Sequence, residues 1–578
     1  WEALLDAGMA LGDVGLHEVR QLANAGRVVP DRLWDVCEYA VYAKLAASAL
    51  QAHPQLRSFD GLAHEQLRER FRRYDQETIV RFRQRAAHLL DQRPVPSGTR
   101  TGPVATHTDL ALLENECKKQ RRHISIRQLV RRAGAALQAL KPCFMMGPRA
   151  VAQYLDPQSL SFDLLVMDEA SQLRPEDALG AICRAKQVVV VGDPKQLPPT
   201  TFFDRLVDPE DIDEEEATTF DDAESILDVV SSVYSPVRQL RWHYRSRHQS
   251  LIAFSNRHFY DGNLVVFPSP HGTGDGLGVS FELVAGAVYQ AGRNEAEAER
   301  VVDAIVAHLR ETPTLSLGVA AMNFKQRDLI EELLVRRLKG DDQARGWLDA
   351  SLQGPEPLFV KNLENVQGDE RDVVFISVTY GKGPDGKLLQ RFGPLNGIAG
   401  PRRLNVLFTR AKRRVVVFAS FEPDELVLGD GASQGACVLK EYLEHARGRG
   451  HPPEAVGVGQ ASHGDAEAAL ALALQQQGLR VSTKVGVKGA TLDLAVHDPR
   501  DPVSFALGIL LDGPAYRSAF SVRDRDRLRP ASLAALGWRL HTVWTPDWHR
   551  DPREVVRRIV AQVSMQARAE PEHPAQGA

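Results

Sequence analysis

Cysteine is scarce in this chain. Its 578 residues hold five, Cys37, Cys117, Cys143, Cys183 and Cys437, and no two share a Cys-x-x-Cys spacing. An odd number without paired spacing argues against a disulfide framework and against a clustered zinc site, and points to thiols kept reduced in a cytoplasmic setting. Long apolar runs are missing as well. No stretch reaches the roughly 18 residues that a membrane-spanning helix needs, so no membrane partner is expected. Neither sign of charge dominates: 71 basic residues against 75 acidic ones leave a net charge of −4. The overall balance therefore excludes neither an acidic nor a basic partner, and local clusters have to decide. No secretory signal is visible, and the first residue is Trp1 rather than Met, so part of the N-terminus is expected to be missing. The length suffices for three or four domains with ample core.

The most informative stretch is 162–200, FDLLVMDEASQLRPEDALGAICRAKQVVVVGDPKQLPPT. Two short apolar runs, 164–167 and 188–191, suit buried parallel strands, whose carboxyl ends are where α/β sheets bind ligands. The first delivers Asp168 and Glu169. A strand-end Asp can hold Mg²⁺, and the next carboxylate can orient or deprotonate a water. The second delivers Gly192, Asp193, Pro194, Lys195 and Gln196, a tight loop whose amide can reach a terminal phosphate. Acidic pairs after strands are common and mostly structural, but here two such motifs follow one another on consecutive strands.

These two segments resemble motifs II and III of superfamily-one helicases, and further segments follow in the family's order. Residues 240–246 (LRWHYRS) resemble the Tyr-Arg motif opening the second RecA-like domain, which makes Arg245 the arginine that reaches across the cleft to the γ-phosphate. Residues 318–334 occupy the place of motif IV and put Gln326 and Arg327 on the nucleic-acid side. Residues 360–378 resemble motif V: Gln367, Gly368, Glu370 and Asp372 match, Glu370 helps hold nucleotide, and Gly368 permits a close backbone approach. Residues 402–420 resemble motif VI and make Arg410 the second phosphate-sensing arginine. The resemblance implies ATP with Mg²⁺ as cofactors, Asp168 as metal ligand, and Gly192, Asp193, Gln367, Gly368 and Glu370 around the nucleotide. It further implies single-stranded or partly duplex nucleic acid, DNA favoured, as partner, with travel along one strand in the 5′→3′ sense of that branch.

The resemblance implies an α/β protein with two RecA-like domains, a helical insertion in the first, and a restriction-endonuclease-like domain at the C-terminus. The expected divisions are the insertion at 1–145, the rest of the first domain at 146–236, the second at 237–428, a Gly/Ser/Pro-rich linker at 429–462, the nuclease-like domain at 463–570, and a tail at 571–578. Within the insertion, Lys118, Lys119, Arg121 and Arg122 open a run with no acid between 117 and 132. Alone it reads as a solvated face; beside a motor it suits sequence-blind phosphate contacts. Residues 208–224 hold ten acids and no Lys or Arg, a self-repelling segment expected to be a loop.

Two departures stand against the family pattern. No Gly-x-x-x-x-Gly-Lys-Ser/Thr loop, which cradles phosphates and Mg²⁺, precedes Asp168. The near match at 381–388 puts Leu388 where a hydroxyl is needed and reads as a hairpin turn. This chain alone is therefore expected to be inactive towards ATP. The C-terminal domain resembles the very-short-patch-repair type of nuclease, with Asp493 and Asp512 in place, but Leu510 stands where that family has Glu and Arg517 where it has His. A nuclease site so altered is expected to bind nucleic acid rather than cut it, with Arg517 to Arg529 as a basic surface. Two rivals remain: a Mg²⁺-dependent endonuclease loaded by the motor, and a non-catalytic binding scaffold.

Overall fold

The computed structural model describes residues 2–158, 160–199, 225–272, 276–388, 390–448, 465–486 and 490–568. The acidic segment at 208–224 and the tail at 571–578 lie outside them.

The best-formed layer is a five-stranded parallel sheet. Its order is Gly278–Leu283, Ala411–Ala419, Arg371–Ser377, Leu317–Ala321 and Phe359–Asn362. The central strands are continuous Val/Ile/Phe runs buried on both sides, as a sheet covered by helices on each face requires. One face packs Glu295–Glu311 and Phe324–Arg337; the other packs Ser250–Phe259, Gly400–Phe408 and Gln434–Arg447. The last of these corrects the expected linker. The short helix expected at 439–446 within that linker is longer, and its Ala436, Leu439, Tyr442, Leu443 and Ala446 are core residues of this domain, so the Gly and Ser before it are helix-boundary signals.

The first α/β unit is smaller among the described residues. Strands Phe162–Met167 and Ala185–Val190 pair in parallel, joined through helix Pro175–Ile182. Burial of these strands was expected, yet Val166 is 57 % and Val189 45 % exposed. Two strands cannot enclose one another; an apolar run becomes buried only when neighbours flank it.

The N-terminal segment is helical, including Leu33–Ala52 and a 31-residue helix, Gly61–Asp91. The long helix is capped by Asp60, whose carboxylate accepts the Leu62 and Ala63 amides. It docks on the C-terminal domain. Arg68 donates to Asp526 Oδ1 at 2.9 Å, Arg523 grips Asp75, and Trp544 packs edge-on against His64.

The C-terminal domain is a four-stranded sheet in the order Val481–Val485, Leu492–His497, Phe505–Leu511, Leu540–Val543, antiparallel except for its last pair. Helices Asp465–Gln476 and Pro552–Arg568 cover one face. The other packs on the second α/β domain: Val265 and Phe267 join its apolar cluster, and Trp538 Nε1 donates to Pro268 O at 2.7 Å.

Candidate nucleotide cleft and nuclease-like site

The chain leaves the Phe162–Met167 strand through Asp168 and turns sharply. Glu169 takes left-handed dihedrals (φ 53°, ψ 39°), which lets the Ala170 amide reach Val191 O at 2.9 Å and locks the two strand ends together. At Gly192, which follows, a Cβ would lie 3.0 Å from the Ser171 nitrogen and 3.2 Å from the Ala170 nitrogen, so any side chain there would crowd the backbone. Asp168 and Glu169 are both exposed at this edge.

The next loop is a clasp between domains. Asp193 Oδ2 accepts from Gln196 Nε2 at 3.1 Å and from the Tyr260 hydroxyl at 2.6 Å. Asn405 Nδ2 donates to Lys195 O at 2.8 Å and to Tyr260 at 3.0 Å. Burial first, and the Asp193 charge second, push the Tyr260 phenol far above its ordinary value, so it stays a neutral donor. One residue on, Leu197 is 3 % exposed and belongs to the second domain's core, with Leu251, Phe254 and Leu404. Neither Tyr260 nor the use of Asn405 was expected. Asn405 lay inside a recognised motif; Tyr260 ends a helical run and carries no local signal.

The arginines meet the same place. Arg245 Nε lies 2.7 Å from Glu370 Oε2, and its Nη1 donates to Thr409 O at 3.3 Å. Glu370 Oε1 also faces Lys412 Nζ at 3.5 Å. Arg410 is 4 % exposed, with Nε donating to Val406 O at 2.8 Å. Burial, and then the neighbouring Arg245, bring its pKa down to about 10, while Glu169, Glu370 and Tyr260 act in the opposite sense. Residues far apart in sequence thus share one electrostatic neighbourhood across the cleft. Gln367 Nε2 is buried without a hydrogen-bond partner among the described residues. Gly368 holds φ +86° with open space where a Cβ would point, so it serves the turn rather than the close approach expected of it.

Gln326 requires a correction. It is fully buried, its Oε1 accepting from the Asn294 amide at 2.8 Å and its Nε2 donating to Asn294 O at 3.0 Å, so it has no surface to offer nucleic acid. Of the basic run, Lys118, Arg121 and Arg122 are exposed, whereas Lys119 is held by buried Glu116. Arg131 and Arg132 are committed to Asp156 and to the His107 carbonyl.

In the C-terminal domain, Asp493 Oδ2 accepts the Leu511 amide at 2.8 Å and Asp512 Oδ1 accepts the Thr545 amide at 2.9 Å. Leu510 packs among apolar neighbours, and Arg517 is exposed at the end of the short helix Pro514–Arg517. The expected free basic surface is largely spent inside the molecule. Arg523 and Arg527 both pair with Asp75, and Arg525 pairs with Asp526, which also holds Arg68.

Comparison with known proteins fits this arrangement. Two AAA-domain models, AAA_11 and AAA_12, match residues 149–203 and 284–422, and the model REase_MTES_1575 matches 467–563. The chain is 28 % identical over 453 residues to the "Uncharacterized ATP-dependent helicase MG140" of Mycoplasma genitalium, covering 74 % of this chain and 39 % of that protein. Its homolog in Mycoplasma pneumoniae is 28 % identical over 446 residues, with the same shares. The "DNA-binding protein SMUBP-2" of Rattus norvegicus is 25 % identical over 269 residues, 44 % of this chain and 24 % of that one. The chain thus spans about two fifths of the length of the first two relatives. In chain order, the matched segments are thus two AAA-domain segments followed by one that matches REase_MTES_1575. No helix among the described residues is long and apolar enough to cross a membrane.

Proposed function

We propose that this chain is part of an ATP-dependent helicase or translocase that works on single-stranded or partly duplex nucleic acid, DNA favoured. The observation that carries the reading is the clasp formed by Asp193, Tyr260, Asn405 and Leu197, which holds one α/β domain against the other and sets Glu169, Arg245, Glu370 and Arg410 within electrostatic reach of each other.

The residues present fit a nucleoside triphosphate with Mg²⁺. Arg410 lies within electrostatic reach of Glu169, Arg245 beside it pairs with Glu370, and a buried amide, Gln367 Nε2, lacks a partner among the described residues. Asp168 would hold the cation, and Gln196, Arg245 and Arg410 would face the terminal phosphate. When bound, ATP supplies the anhydride whose cleavage drives the motor. Glu169 orients water. Glu370 holds Arg245 at the cleft, so that an anion arriving there competes for a guanidinium already in place. Arg410, buried and still charged at neutral pH, presents a cation with little reorganisation. No Gly-x-x-x-x-Gly-Lys-Ser/Thr pattern precedes Asp168 in this sequence, so these residues by themselves supply no phosphate-cradling loop of that kind.

The test is an ATPase assay with single-stranded DNA. The chain of 578 residues should give no turnover. A protein of the relatives' length should, and Arg245→Ala or Arg410→Ala in it should lower kcat by about 10³-fold or more, as loss of an arginine finger does. Robust turnover by the short chain, or turnover indifferent to both arginines, defeats the proposal.

A further inference from the structure

Three polar side chains meet inside the C-terminal domain. Glu467 comes from helix Asp465–Gln476, Lys484 from strand Val481–Val485 and Asp493 from strand Leu492–His497. Lys484 Nζ lies 2.6 Å from Glu467 Oε2 and 3.5 Å from Asp493 Oδ1. Both carboxylates are buried. Lys484 reaches them from a backbone with φ +51°, a conformation that side-chain-bearing residues avoid and that persists only when its surroundings impose it. The strand register, Thr483 to Leu494 and Val485 to Leu492, sets Lys484 directly across from Asp493.

A restriction-endonuclease-like fold implies a divalent cation held by several anionic oxygens. The residues here do not fit one. Of the two acids, Glu467 Oε2 and Asp493 Oδ1 already face the ammonium, and Asp493 Oδ2 is taken by the Leu511 amide. The acid expected at 510 is Leu510, and Asp512 is turned away to the amide and hydroxyl of Thr545. A second cation, Arg529, also acts on Asp493 from a buried position. Among the described residues no group of three or more His, Cys, Asp or Glu is arranged to hold a metal.

We propose that Lys484 is a built-in cation that takes the place of a divalent metal in this domain. A covalently attached charge bridges the acid pair and offsets one of its two negative charges, which ties helix Asp465–Gln476 to the sheet without any ion from solution. The domain is then metal-independent and has no metal-activated water with which to cut nucleic acid. Glu467 Oε1, buried without a hydrogen-bond partner among the described residues, marks the share of this acid that a single ammonium leaves unsatisfied. The proposal stands on this domain alone and does not require the motor reading.

The experiment is Mn²⁺ binding by the full chain without nucleotide, followed through the electron paramagnetic resonance signal of free Mn²⁺. Wild type and Glu467→Gln should give superimposable isotherms. Lys484→Ala should gain a Mn²⁺ site that Lys484→Ala/Glu467→Gln loses again, and its melting temperature in EDTA should be lowered and then restored by Mn²⁺. A wild-type site that Glu467→Gln removes overturns the proposal, as does a folded Lys484→Ala variant with no added site. Should Lys484→Ala not fold, the wild-type and Glu467→Gln pair decides: identical isotherms support the built-in cation, and a lost site refutes it.

Discussion

Replacing Glu297 by Gln should flatten the pH dependence of stability. Glu297 is fully enclosed beneath the second domain's sheet. Its Oε1 accepts from the Ser377 hydroxyl and the Thr379 amide, each at 2.6 Å, and its Oε2 faces Asn294 Nδ2 at 3.4 Å. No basic side chain pairs with it among the described residues. Burial raises its pKa from 4.5 to about 8, against the two hydrogen bonds to Oε1, which pull it down. The folded state therefore keeps a proton that the unfolded chain gives up above pH 4.5. A raised folded pKa contributes stability that is fully present below the unfolded value and lost as pH climbs through the folded one. Between pH 5 and pH 8 the loss from this group is about 3–4 kcal/mol, at about 1.4 kcal/mol per unit until the folded carboxyl itself begins to ionise. Gln keeps an acceptor oxygen for Ser377 and Thr379 and cannot ionise. The assay is urea unfolding of wild type and Glu297→Gln at both pH values. Contributions from every other titrating group cancel in the difference between the two proteins. The variant should gain on wild type by about 3–4 kcal/mol across that range. A difference that stays constant to within about 1 kcal/mol would show that the carboxyl is already ionised in the folded state, and that the buried network carries a charge.

Two further outcomes follow from the packing. Arg68→Met should destabilise the junction between the long N-terminal helix and the C-terminal domain by about 1–3 kcal/mol, because buried Asp526 loses one of its two cationic partners and Oδ1 is left without its hydrogen bond while Arg525 still holds Oδ2. Limited proteolysis of the helix should report that loss, and Arg68→Met/Asp526→Asn should recover most of it. Leu197→Ala should cost about 2–5 kcal/mol, since it empties a place in the second domain's core. Its separate signature is faster proteolysis at the 192–199 loop, where Leu197 acts as the anchor; unchanged cleavage there would deny the clasp.

What was legible in the sequence was the chemistry at strand ends. Asp168, Gly192, Asp193, Arg245, Glu370 and Arg410 each sit in a short motif whose residues touch backbone or solvent locally; in the structure Arg245 pairs with Glu370, Arg410 lies within electrostatic reach of both and of Glu169, and Asp193 joins Tyr260. Burial was less legible. Gln326 follows Asn323, which caps helix Phe324–Arg337, and a polar residue in a first turn reads as solvent-facing. Its burial depends on Asn294, 32 residues away, offering both an amide and a carbonyl to one side chain. The apolar 164–167 run shows the converse: apolarity states what a strand needs, while the partners present set how much of it is met.

The largest difference lies between residues some 450 positions apart. Read locally, Arg523, Arg525, Arg527 and Arg529 are a cationic helix surface offered to phosphates. In the folded chain Arg523, Arg525 and Arg527 lie against Gly61–Asp91, a helix whose apolar spacing gave no hint of its target. Asp75 takes Arg523 and Arg527, Asp526 takes Arg68 and Arg525, and Arg529 donates to the Thr491 carbonyl. A phosphate arriving there has to displace a carboxylate from Arg523 or Arg527, and the anion gained is offset by the one released. Among the described residues no carboxylate pairs with Lys118, Arg121 or Arg122, and counterion release favours this exposed run. Charge reversal should therefore weaken single-strand binding more at 118–122 than at 523–527. Filter-binding salt titrations of Arg121→Glu/Arg122→Glu against Arg523→Glu/Arg527→Glu decide this. A larger fall in affinity and salt slope for the second pair would mean that the long helix lifts away when nucleic acid binds.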